Sequence, residues 1–310
     1  MADRRRHIFS GMPVRFLDEA AVRSHLTMRA LIPVIEEALR SLSAGEAVQP
    51  VRTVVPVTGH AGFLGSMPGF AGGTLGAKLV TFYPSNKGVS THHALIVLFA
   101  PETGEPIAVM DGRLITEMRT AAASAVATRL LSKSDASVLA IIGSGVQAES
   151  HLEALRLVRD FSEVRVWSPR RAGAFAEKHH VHSTTSAEAA VRGADVIVVA
   201  TSSTEPVLRG EWVAPGAHVN AVGATRPDWR ELDDALVRRA KLYVDSREAA
   251  SHESGDVIAA GAIVAEIGEV IGGTCPGRES AQEVTLFKSV GVAVEDLASA
   301  GLVYRAASAG

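Results

Sequence analysis

The strongest chemical signal in the sequence is a glycine-rich turn between an apolar run and a helix-forming segment. Residues 138–150 read VLAIIGSGVQAES, so Gly143-x-Gly145-x-x-Ala148 follows a short β-branched stretch. In such a motif the first glycine permits a tight turn, the second lets the backbone approach a pyrophosphate, and the small third residue allows helix and strand to pack. The helix N-terminus adds free N–H groups and a partial positive charge. The spacing therefore predicts a dinucleotide site with contacts from Gly143, Ser144, Gly145, Val146 and Gln147.

The end of the next predicted strand indicates which nicotinamide cofactor this site would take. An acidic residue at that point would bind the ribose 2′-hydroxyl of NAD. The sequence instead reads Ser168-Pro169-Arg170-Arg171, which offers a hydroxyl and two guanidinium groups to a 2′-phosphate. We therefore expect NADPH, bound by Ser168, Arg170 and Arg171, with NADH as a weaker alternative. Two solvated loop arginines are the competing interpretation.

Three cations in the first part of the chain occupy positions where a buried side chain would need an anion. Arg52 lies in a β-like run, Lys78 begins another, and Arg119 lies on an alanine-rich segment. An unpaired buried cation is strongly unfavourable, so an inward orientation calls for an anionic partner, and a substrate carboxylate is suitable. The alternative is that the three cations point to solvent or pair with Asp111 or Glu117.

The elements that must position these groups follow two different patterns. Residues 20–42 carry apolar residues at helical spacing, and short β-like runs separated by turns follow, which favours an antiparallel sheet. Residues 116–131 are alanine-rich and predict a helix. From residue 137 onwards, short β-branched runs alternate with helical segments. That alternation predicts a parallel sheet with helices on both faces.

The fold class that follows is α/β: a Rossmann dinucleotide-binding domain plus a mixed α+β substrate domain. Residues 284–308 have a long, helical character and come after a Gly/Pro-rich loop, which indicates a return to the first domain. We therefore predict that residues 1–118 and 285–310 form the substrate-binding domain. Residues 119–284 are predicted to form the Rossmann domain.

Composition narrows the class of protein. The 310 residues carry 31 Lys and Arg against 34 Asp and Glu, a formal net charge of −3 at pH 7, which excludes a nucleic-acid binder held by bulk positive charge. The single cysteine excludes a disulfide framework or a CxxC-type metal cluster, and the histidines show no metal spacing such as HExxH. No apolar run approaches the ~20 residues of a membrane span. We expect a soluble, cytoplasmic protein without a bound metal.

Long and unusual strings carry a resemblance over nearly all 310 residues. They include QPVRTVVPVT from residue 49, AVMDGRLITEMRTAA from 108, GEWVAPGAHVNAVGATRPDWRELDD from 210 and VTLFKSVGVAVED from 284. The chain resembles the ornithine cyclodeaminase/mu-crystallin family. The resemblance implies a homodimer whose first domain also serves dimerisation, an active site in the cleft against the Rossmann domain, a nicotinamide cofactor, and α-amino or α-imino acid substrates. One branch of the family consists of NADPH-dependent ketimine reductases that also bind thyroid hormone.

The same resemblance implies roles for individual residues. It makes Arg52 and Lys78 the catalytic residues that hold the substrate carboxylate, and it places Arg119 against substrate or the cofactor phosphate. It also implies that Thr225 and Arg226 bind substrate, because they follow a Rossmann strand. Further cofactor contacts are carried over to Thr91, His92, Thr201, Ser202, Val222 and Ser289.

Thr225 is also where the chain departs from the cyclodeaminases of the family, which have an aspartate at this position. A threonine cannot act as a general base near neutral pH or hold a second ammonium group by charge. A further acidic position of the cyclodeaminases corresponds to Gly65 here. Cyclodeamination of ornithine is therefore disfavoured. Arg226 instead adds a cation beside the site, with a packed Arg226–Glu231 pair as the alternative.

Together these observations predict hydride transfer from NADPH to the C=N carbon of a carboxylate-bearing ketimine. Piperideine-2-carboxylate and pyrroline-2-carboxylate are the best candidate substrates, and Lys78 or a bound water is the candidate general acid. Two alternatives stay open. One is reductive amination of a 2-keto acid, in the manner of an alanine dehydrogenase, and the other is a non-catalytic crystallin-like or thyroid-hormone-binding role.

Overall fold

Two β-sheets organise the protein, whose computed structural model describes residues 14–309. Within this range the first sheet has six strands: β1 (Arg15–Leu17), β2 (Thr53–Val57), β3 (Gly62–Ala71), β4 (Thr74–Phe82), β5 (His92–Phe99) and β6 (Pro106–Asp111). Their order is β1-β6-β5-β4-β3-β2, with antiparallel pairing from β2 to β6 and β1 parallel to β6. The antiparallel sheet predicted for the first part of the chain is confirmed.

The second sheet is wholly parallel and has, in the same described range, eight strands: β7 (Val138–Ile142), β8 (Glu163–Trp167), β9 (His182–Ser183), β10 (Val196–Val199), β11 (His218–Ala221), β12 (Lys241–Val244), β13 (Ala265–Glu266) and β14 (Thr285–Lys288). Their order is β13-β12-β14-β11-β10-β7-β8-β9. The central strands β7, β10 and β11 are almost completely buried, as expected for a sheet with helices on both faces. The predicted Rossmann-type α/β fold is confirmed.

Eleven α-helices connect and cover the sheets within residues 14–309: α1 (Glu19–His25), α2 (Met28–Ser43), α3 (Arg113–Leu131), α4 (Val146–Leu155), α5 (Ala172–His179), α6 (Ala187–Val191), α7 (Asp234–Arg239), α8 (Arg247–Glu253), α9 (Gly255–Ala260), α10 (Ile267–Ile271) and α11 (Ala293–Ser308). α3 links the two halves of the fold, since it packs on α2 and α11 as well as on α4 and β11. Its alanines are fully buried, and their small side chains permit this close approach on several sides.

The two faces of the first sheet differ. α11 packs on β3, β4 and β5, so the face that carries Lys78 is covered. The opposite face carries exposed apolar side chains that pair across strands, Val55 with Leu64 and Leu79 with Leu95. An uncovered apolar sheet face of this kind is typical of a protein–protein contact.

The helical pattern over residues 20–42 is not one helix. The chain forms α1 and α2 with a break at residues 26–27, where the Thr27 side chain accepts a hydrogen bond from the N–H of Ala30 and begins α2. Asp18 caps the start of α1 in the same way. Such N-caps start a new helix where periodicity alone would continue the old one.

The C-terminal stretch is not wholly helical either. Residues 285–288 form β14, which pairs with β11 and β12 in the second sheet, and α11 begins only at Ala293. The run TLFK is short enough for a strand, and only its parallel neighbours show that it is one. The domain boundaries stay a prediction, but these residues lie in the second sheet although the sequence pattern returns them to the first domain.

Two features are absent from residues 14–309. No helix there is long and apolar enough to cross a membrane. No group of three or more His, Cys, Asp or Glu side chains in that range could hold a metal ion.

Candidate active site

The glycine-rich turn lies between the end of β7 and the start of α4. Gly143 has a φ of +123°, and a β-carbon there would collide with the carbonyl oxygen of Ala200, beyond β10. Glycine is required at this position, because both the backbone conformation and the close neighbour exclude a side chain. A β-carbon on Gly145 would instead meet no atom of the described residues within 4 Å. The backbone at Gly145 is therefore open to close approach, as pyrophosphate binding requires.

The start of α4 completes this phosphate-binding geometry. No side chain caps the helix, so the first N–H groups are free to bind an anion. Val146 is exposed, and Oε1 of Gln147 is buried with no hydrogen-bond partner in the part of the chain that the structure describes. Open backbone, an uncapped helix start and an unused polar atom occur at consecutive residues. The turn therefore fits a dinucleotide cofactor.

Ser144 connects this turn to the loop that follows β8. Its hydroxyl oxygen lies 2.8 Å from that of Ser168, which also accepts a hydrogen bond from the backbone N–H of Arg171 at 3.2 Å. The side chains of Arg170 and Arg171 are exposed, and neither forms an ion pair with another residue between 14 and 309. Two free guanidinium groups beside the glycine-rich turn suit a 2′-phosphate.

Lys78 and Arg119 meet in a buried cluster of charges. Lys78, on β4, forms an ion pair with Asp296 on α11, with 2.6 Å between Nζ and Oδ2. Arg119, on α3, contacts the same carboxylate at 3.1 Å from Nε and Glu295 at 2.8 Å from Nη1. None of these side chains is more than 6% exposed. The cations point inward, as one of the two sequence interpretations requires.

The anions that neutralise this cluster differ from the expected ones. Asp111 instead accepts hydrogen bonds from the backbone N–H groups of Arg113 and Leu114 at the start of α3. Glu117 pairs with the Arg113 side chain. The sequence pattern suggests both as partners only because they are close in the chain, whereas α11 is brought in by the fold.

The charge balance of the cluster affects its protonation. Burial lowers the pKa of Lys78 to about 8, with the Asp296 carboxylate opposing a larger fall. Burial also raises the pKa of Glu295 to about 8. Although burial disfavours the charged form of Asp296, Lys78 and Arg119 together hold its pKa below the usual value. The Lys78 ammonium can therefore release a proton near neutral pH.

Arg52 reaches the same region through the turn that follows β14. Its Nε and Nη2 contact the Glu253 carboxylate at 2.9 and 2.8 Å, and Nη2 donates to the carbonyl oxygens of Val290 at 2.6 Å and Gly291 at 2.8 Å. The guanidinium of Arg119 packs directly on Gly291. The turn therefore lies between two of the three predicted substrate-binding cations. Arg52 is the most exposed of the three, at 17% of its side chain.

Asp245, at the end of β12, holds this turn from the other side. Its Oδ2 accepts hydrogen bonds from the Ser289 hydroxyl at 3.0 Å and from the N–H groups of Val290 at 2.8 Å and Gly291 at 2.7 Å. Ser289 is buried and donates its hydroxyl proton to Asp245. Its predicted contact with the cofactor stays a prediction, and its hydroxyl has a structural partner.

Arg226 lies among three aromatic rings drawn from both halves of the fold. Its guanidinium carbon is 5.1 Å from the ring centre of Phe63, 5.9 Å from that of Phe82 and 4.9 Å from that of Trp229. Stacking of this kind covers the faces of a guanidinium and leaves its N–H edge available. The alternative pair with Glu231 does not form, since that carboxylate binds elsewhere. Arg226 is thus a cation without a carboxylate partner among the described residues.

His92 adds to this aromatic group. Its ring centre lies 4.4 Å from that of Phe82, opposite it on β4 and β5, and its Nδ1 lies 3.2 Å from the Thr91 hydroxyl. Thr225, partly buried, directly precedes Arg226. The fold therefore brings the predicted residues Thr91, His92 and Arg226 to one edge of the first sheet.

The remaining predicted cofactor residues lie at the ends of β10 and β11. Thr201 donates hydrogen bonds from its N–H and its hydroxyl to Glu231, and the N–H of Val222 donates to Val199 at 3.0 Å. Ser202 is exposed. Carboxyl ends of neighbouring parallel strands form the crevice in which Rossmann domains bind nucleotides. All three residues lie at this crevice, and their contact with a cofactor stays a prediction.

Sequence reasoning misses the acidic side of the site, which consists of Asp245, Glu253, Glu295 and Asp296. One signal for it exists in the sequence. Glu295 and Asp296 are the only charged residues between 289 and 303, an otherwise apolar and small-residue run. Two adjacent carboxylates in a segment that must be buried require cationic partners, and Lys78 and Arg119 were the unpaired candidates.

Comparison with known proteins shows close relatives over the whole described chain. The family model for the ornithine cyclodeaminase/mu-crystallin family matches residues 14–310. The chain is 53% identical over 308 residues to the ketimine reductase mu-crystallin of Mus musculus, covering 95% of this chain and 98% of that protein. The Thermococcus litoralis Delta(1)-pyrroline-2-carboxylate reductase in complex with NADH and L-proline matches with a TM-score of 0.91 and 39% identity, covering 96% of this chain and 98% of that one. An archaeal alanine dehydrogenase dimer with bound NAD matches with a TM-score of 0.91 and 38% identity over 96% of both chains.

Proposed function

The chain belongs to the ornithine cyclodeaminase/mu-crystallin family, and from this premise we propose that it is an NADPH-dependent ketimine reductase. The substrates would be cyclic ketimines that carry a carboxylate, such as piperideine-2-carboxylate or pyrroline-2-carboxylate. The observation that carries this proposal is the convergence of Arg52, Lys78 and Arg119 on the turn and helix that follow β14. Relatives named as ketimine and pyrroline-2-carboxylate reductases support it.

We assign the binding of the substrate carboxylate to these three cations. Arg52 is the most accessible of them. Its Nε and Nη2 are engaged by Glu253 and the turn, and its Nη1, which has no partner among the described residues, can donate to a substrate carboxylate. Lys78 and Arg119 supply a second positive region that is held rigidly by Asp296. A substrate held at its carboxylate has a fixed orientation, and such positioning can lower a reaction barrier by several kcal/mol.

Lys78 is also our candidate for the proton donor. The reduced nicotinamide supplies the hydride, so the chain itself has to supply a proton to the imine nitrogen when the substrate arrives neutral. An ammonium group with a pKa of about 8 is a suitable acid at neutral pH, because it is charged yet can release its proton. Asp296, which contacts Lys78, acts as a positioning residue for this ammonium.

The choice of NADPH rests on the loop after β8. Ser168, Arg170 and Arg171 offer no carboxylate to a ribose 2′-hydroxyl, while the two exposed guanidinium groups suit a 2′-phosphate. The structural relatives are named with NADH and NAD, so the preference for NADPH depends on these residues of this chain.

A homodimer is part of the same proposal. The uncovered apolar face of the first sheet would be buried by a second copy, and the archaeal relative is named as a dimer. Leu79 and Leu95 pair on that face, so Leu79→Asp should convert a dimer to a monomer in light scattering. Val264→Asp, at an exposed valine away from this sheet, is the control that should stay dimeric.

Reductive amination is the second candidate, favoured by the 38% identity to the alanine dehydrogenase. It would appear as NADPH oxidation with pyruvate and ammonia in the absence of a preformed cyclic imine. Ornithine cyclodeamination is disfavoured, because Thr225 and Gly65 stand where cyclodeaminases have carboxylates. Binding of thyroid hormone and a cytoplasmic location stay predictions.

The test is the oxidation of NADPH with piperideine-2-carboxylate, followed by absorbance, beside NADH, pyruvate with ammonia, and an ornithine control. We expect turnover that depends on NADPH and is lost in Lys78→Ala and Arg52→Ala. Ammonia release from ornithine would contradict the inference that Thr225 disfavours cyclodeamination. Absence of turnover with every imino acid would refute the proposed reaction.

A further inference from the structure

Glu231 is a buried carboxylic acid at the junction between the ends of β10 and β11. Its Oε1 accepts hydrogen bonds from the N–H of Thr201 at 2.8 Å and from the Thr201 hydroxyl at 2.6 Å. The carboxyl group packs against the α-carbon of Gly223, so closely that a β-carbon there would overlap it. Its Oε2 is buried and has no hydrogen-bond partner within residues 14–309. The side chain therefore joins two loops while one polar atom remains unused.

The charges around Glu231 come from three elements. Lys288, at the end of β14, is fully buried, donates to the carbonyl oxygen of Gly223 and lies 3.7 Å from Asp256 on α9. Asp256 also accepts a hydrogen bond from Arg230, at 3.2 Å, and from the N–H of Glu231 itself. The positive charge of Lys288 is thus shared with a second acid. Burial raises the pKa of Glu231 to about 7, so its charge changes near neutral pH.

The location of Glu231 decides what this charge can act on. Thr201 and Gly223 follow adjacent parallel strands at the carboxyl edge of the sheet. The pyrophosphate turn at Gly143 follows β7, on the far side of β10. A dinucleotide that crosses this edge from the β7 turn places its other half over β10 and β11. The nicotinamide end would therefore be the part of a bound cofactor nearest to Glu231.

We propose that Glu231 acts electrostatically on the nicotinamide end of the cofactor. The ionised carboxylate of Glu231 favours the oxidised, positively charged ring over the neutral reduced ring. This inference rests on the proposed function, since it requires a nicotinamide dinucleotide at that edge. A buried negative charge acts strongly on a nearby ring, because little water screens the interaction. Thr201 and Gly223 hold the carboxylate in place, so its effect is a matter of protonation and not of movement.

Below about pH 7 the carboxyl is neutral and treats the two forms of the ring alike, while above it the charge attracts only the oxidised form. Raising the pH should therefore lower the ratio of the NADP⁺ dissociation constant to the NADPH dissociation constant, by about tenfold. The ratio is a clean measure, because titration of the 2′-phosphate affects both forms of the cofactor equally.

The experiment measures both dissociation constants by calorimetry from about pH 5.5 to 8.5, with the full-length protein and no imine present. Wild type should show the fall in the ratio. Glu231→Gln keeps an acceptor for Thr201 but cannot ionise, so its ratio should lack the fall near pH 7, and a fall confined to about pH 8 and above belongs to the Lys78 ammonium. Glu231→Asp, which restores a carboxylate, should restore the pH dependence, and Glu177→Gln, an exposed acid on α5, is the matched control that should behave like wild type.

Two results would overturn the inference: a flat ratio in the wild type, or an unchanged fall in Glu231→Gln. If the glutamine variant does not fold, a flat ratio in the wild type still overturns the inference. A failure of the proposed function would give a different experimental outcome. A wild type that binds both cofactors with the expected pH dependence, yet reduces no imino acid, would refute ketimine reduction and leave the role of Glu231 standing.

Discussion

The cofactor turn and the charged cluster of the cleft are built in opposite ways. The turn uses backbone N–H groups, two glycines and a serine contact between loops that follow neighbouring strands. The cluster uses side chains from β4, α3 and α11. Its cations and acids are buried from solvent and form ion pairs with each other. A backbone site depends on local conformation, whereas a charged cluster depends on distant segments arriving together. The two should therefore fail differently when single residues are changed.

The cluster should show the largest effect. Asp296→Asn removes the one carboxylate that both Lys78 and Arg119 contact. An unpaired charge would remain buried, so we expect the free energy of unfolding to fall by about 3–5 kcal/mol. Urea unfolding measures this value.

Two controls accompany that measurement. Lys178→Met removes an ion pair with Glu149 that is exposed on both sides and should cost less than about 1 kcal/mol. Lys78→Met combined with Asp296→Leu removes both charges and should recover much of the lost stability. Equal losses in Asp296→Asn and Lys178→Met would contradict the view that burial makes this cluster critical.

The two glycines of the turn should separate stability from cofactor binding. Gly143→Ala forces a β-carbon against Ala200 at a positive φ, so we expect a loss of about 1–3 kcal/mol in unfolding free energy. Gly145→Ala has room in the protein and should leave stability unchanged while it weakens NADPH binding. Unfolding curves and NADPH titrations, run on both variants, test the pair. A stability loss in Gly145→Ala would contradict the expectation that a β-carbon fits at Gly145.

The arginines after β8 should change affinity without affecting stability. Arg170→Ala with Arg171→Ala should raise the NADPH dissociation constant by roughly tenfold or more, since each charge-assisted hydrogen bond to a phosphate contributes about 1.5–3 kcal/mol. The NADH dissociation constant should not change, because NADH has no 2′-phosphate. Titration with both cofactors gives the comparison. A parallel weakening for NADH would place these arginines on a shared part of the cofactor.

The smallest effect concerns pH. Burial lowers the pKa of Lys78 to about 8, so the ammonium is present below that pH and is lost as the pH rises through it. We expect kcat/KM for piperideine-2-carboxylate to fall severalfold above about pH 8. Lys78→Arg keeps its charge over this range, and the wild-type to variant ratio cancels the titration of the imine itself. A constant ratio would exclude Lys78 as the group that titrates.

The parts of the protein that could be predicted from its sequence are those in which neighbours in the chain are also neighbours in space. The turn at Gly143, the loop at Ser168 and the alternation of strands and helices are of this kind, since a strand, a turn and a helix require only adjacent residues. The break before α2 and the strand β14 escaped prediction for a related reason. Periodicity cannot show where a side chain caps a helix or which strands lie beside a short apolar run.

Residue types in the sequence also determined that Arg52, Lys78 and Arg119 would need anions if they were buried, because burying a cation unpaired costs too much. Only the tertiary structure decided which anions these are. Asp296 and Glu295 reach Lys78 and Arg119 because the last helix, α11, packs across the first sheet. Glu253 reaches Arg52 from α8. Coulomb interaction depends on distance in space and on the exclusion of water, and neither quantity is encoded by position along the chain.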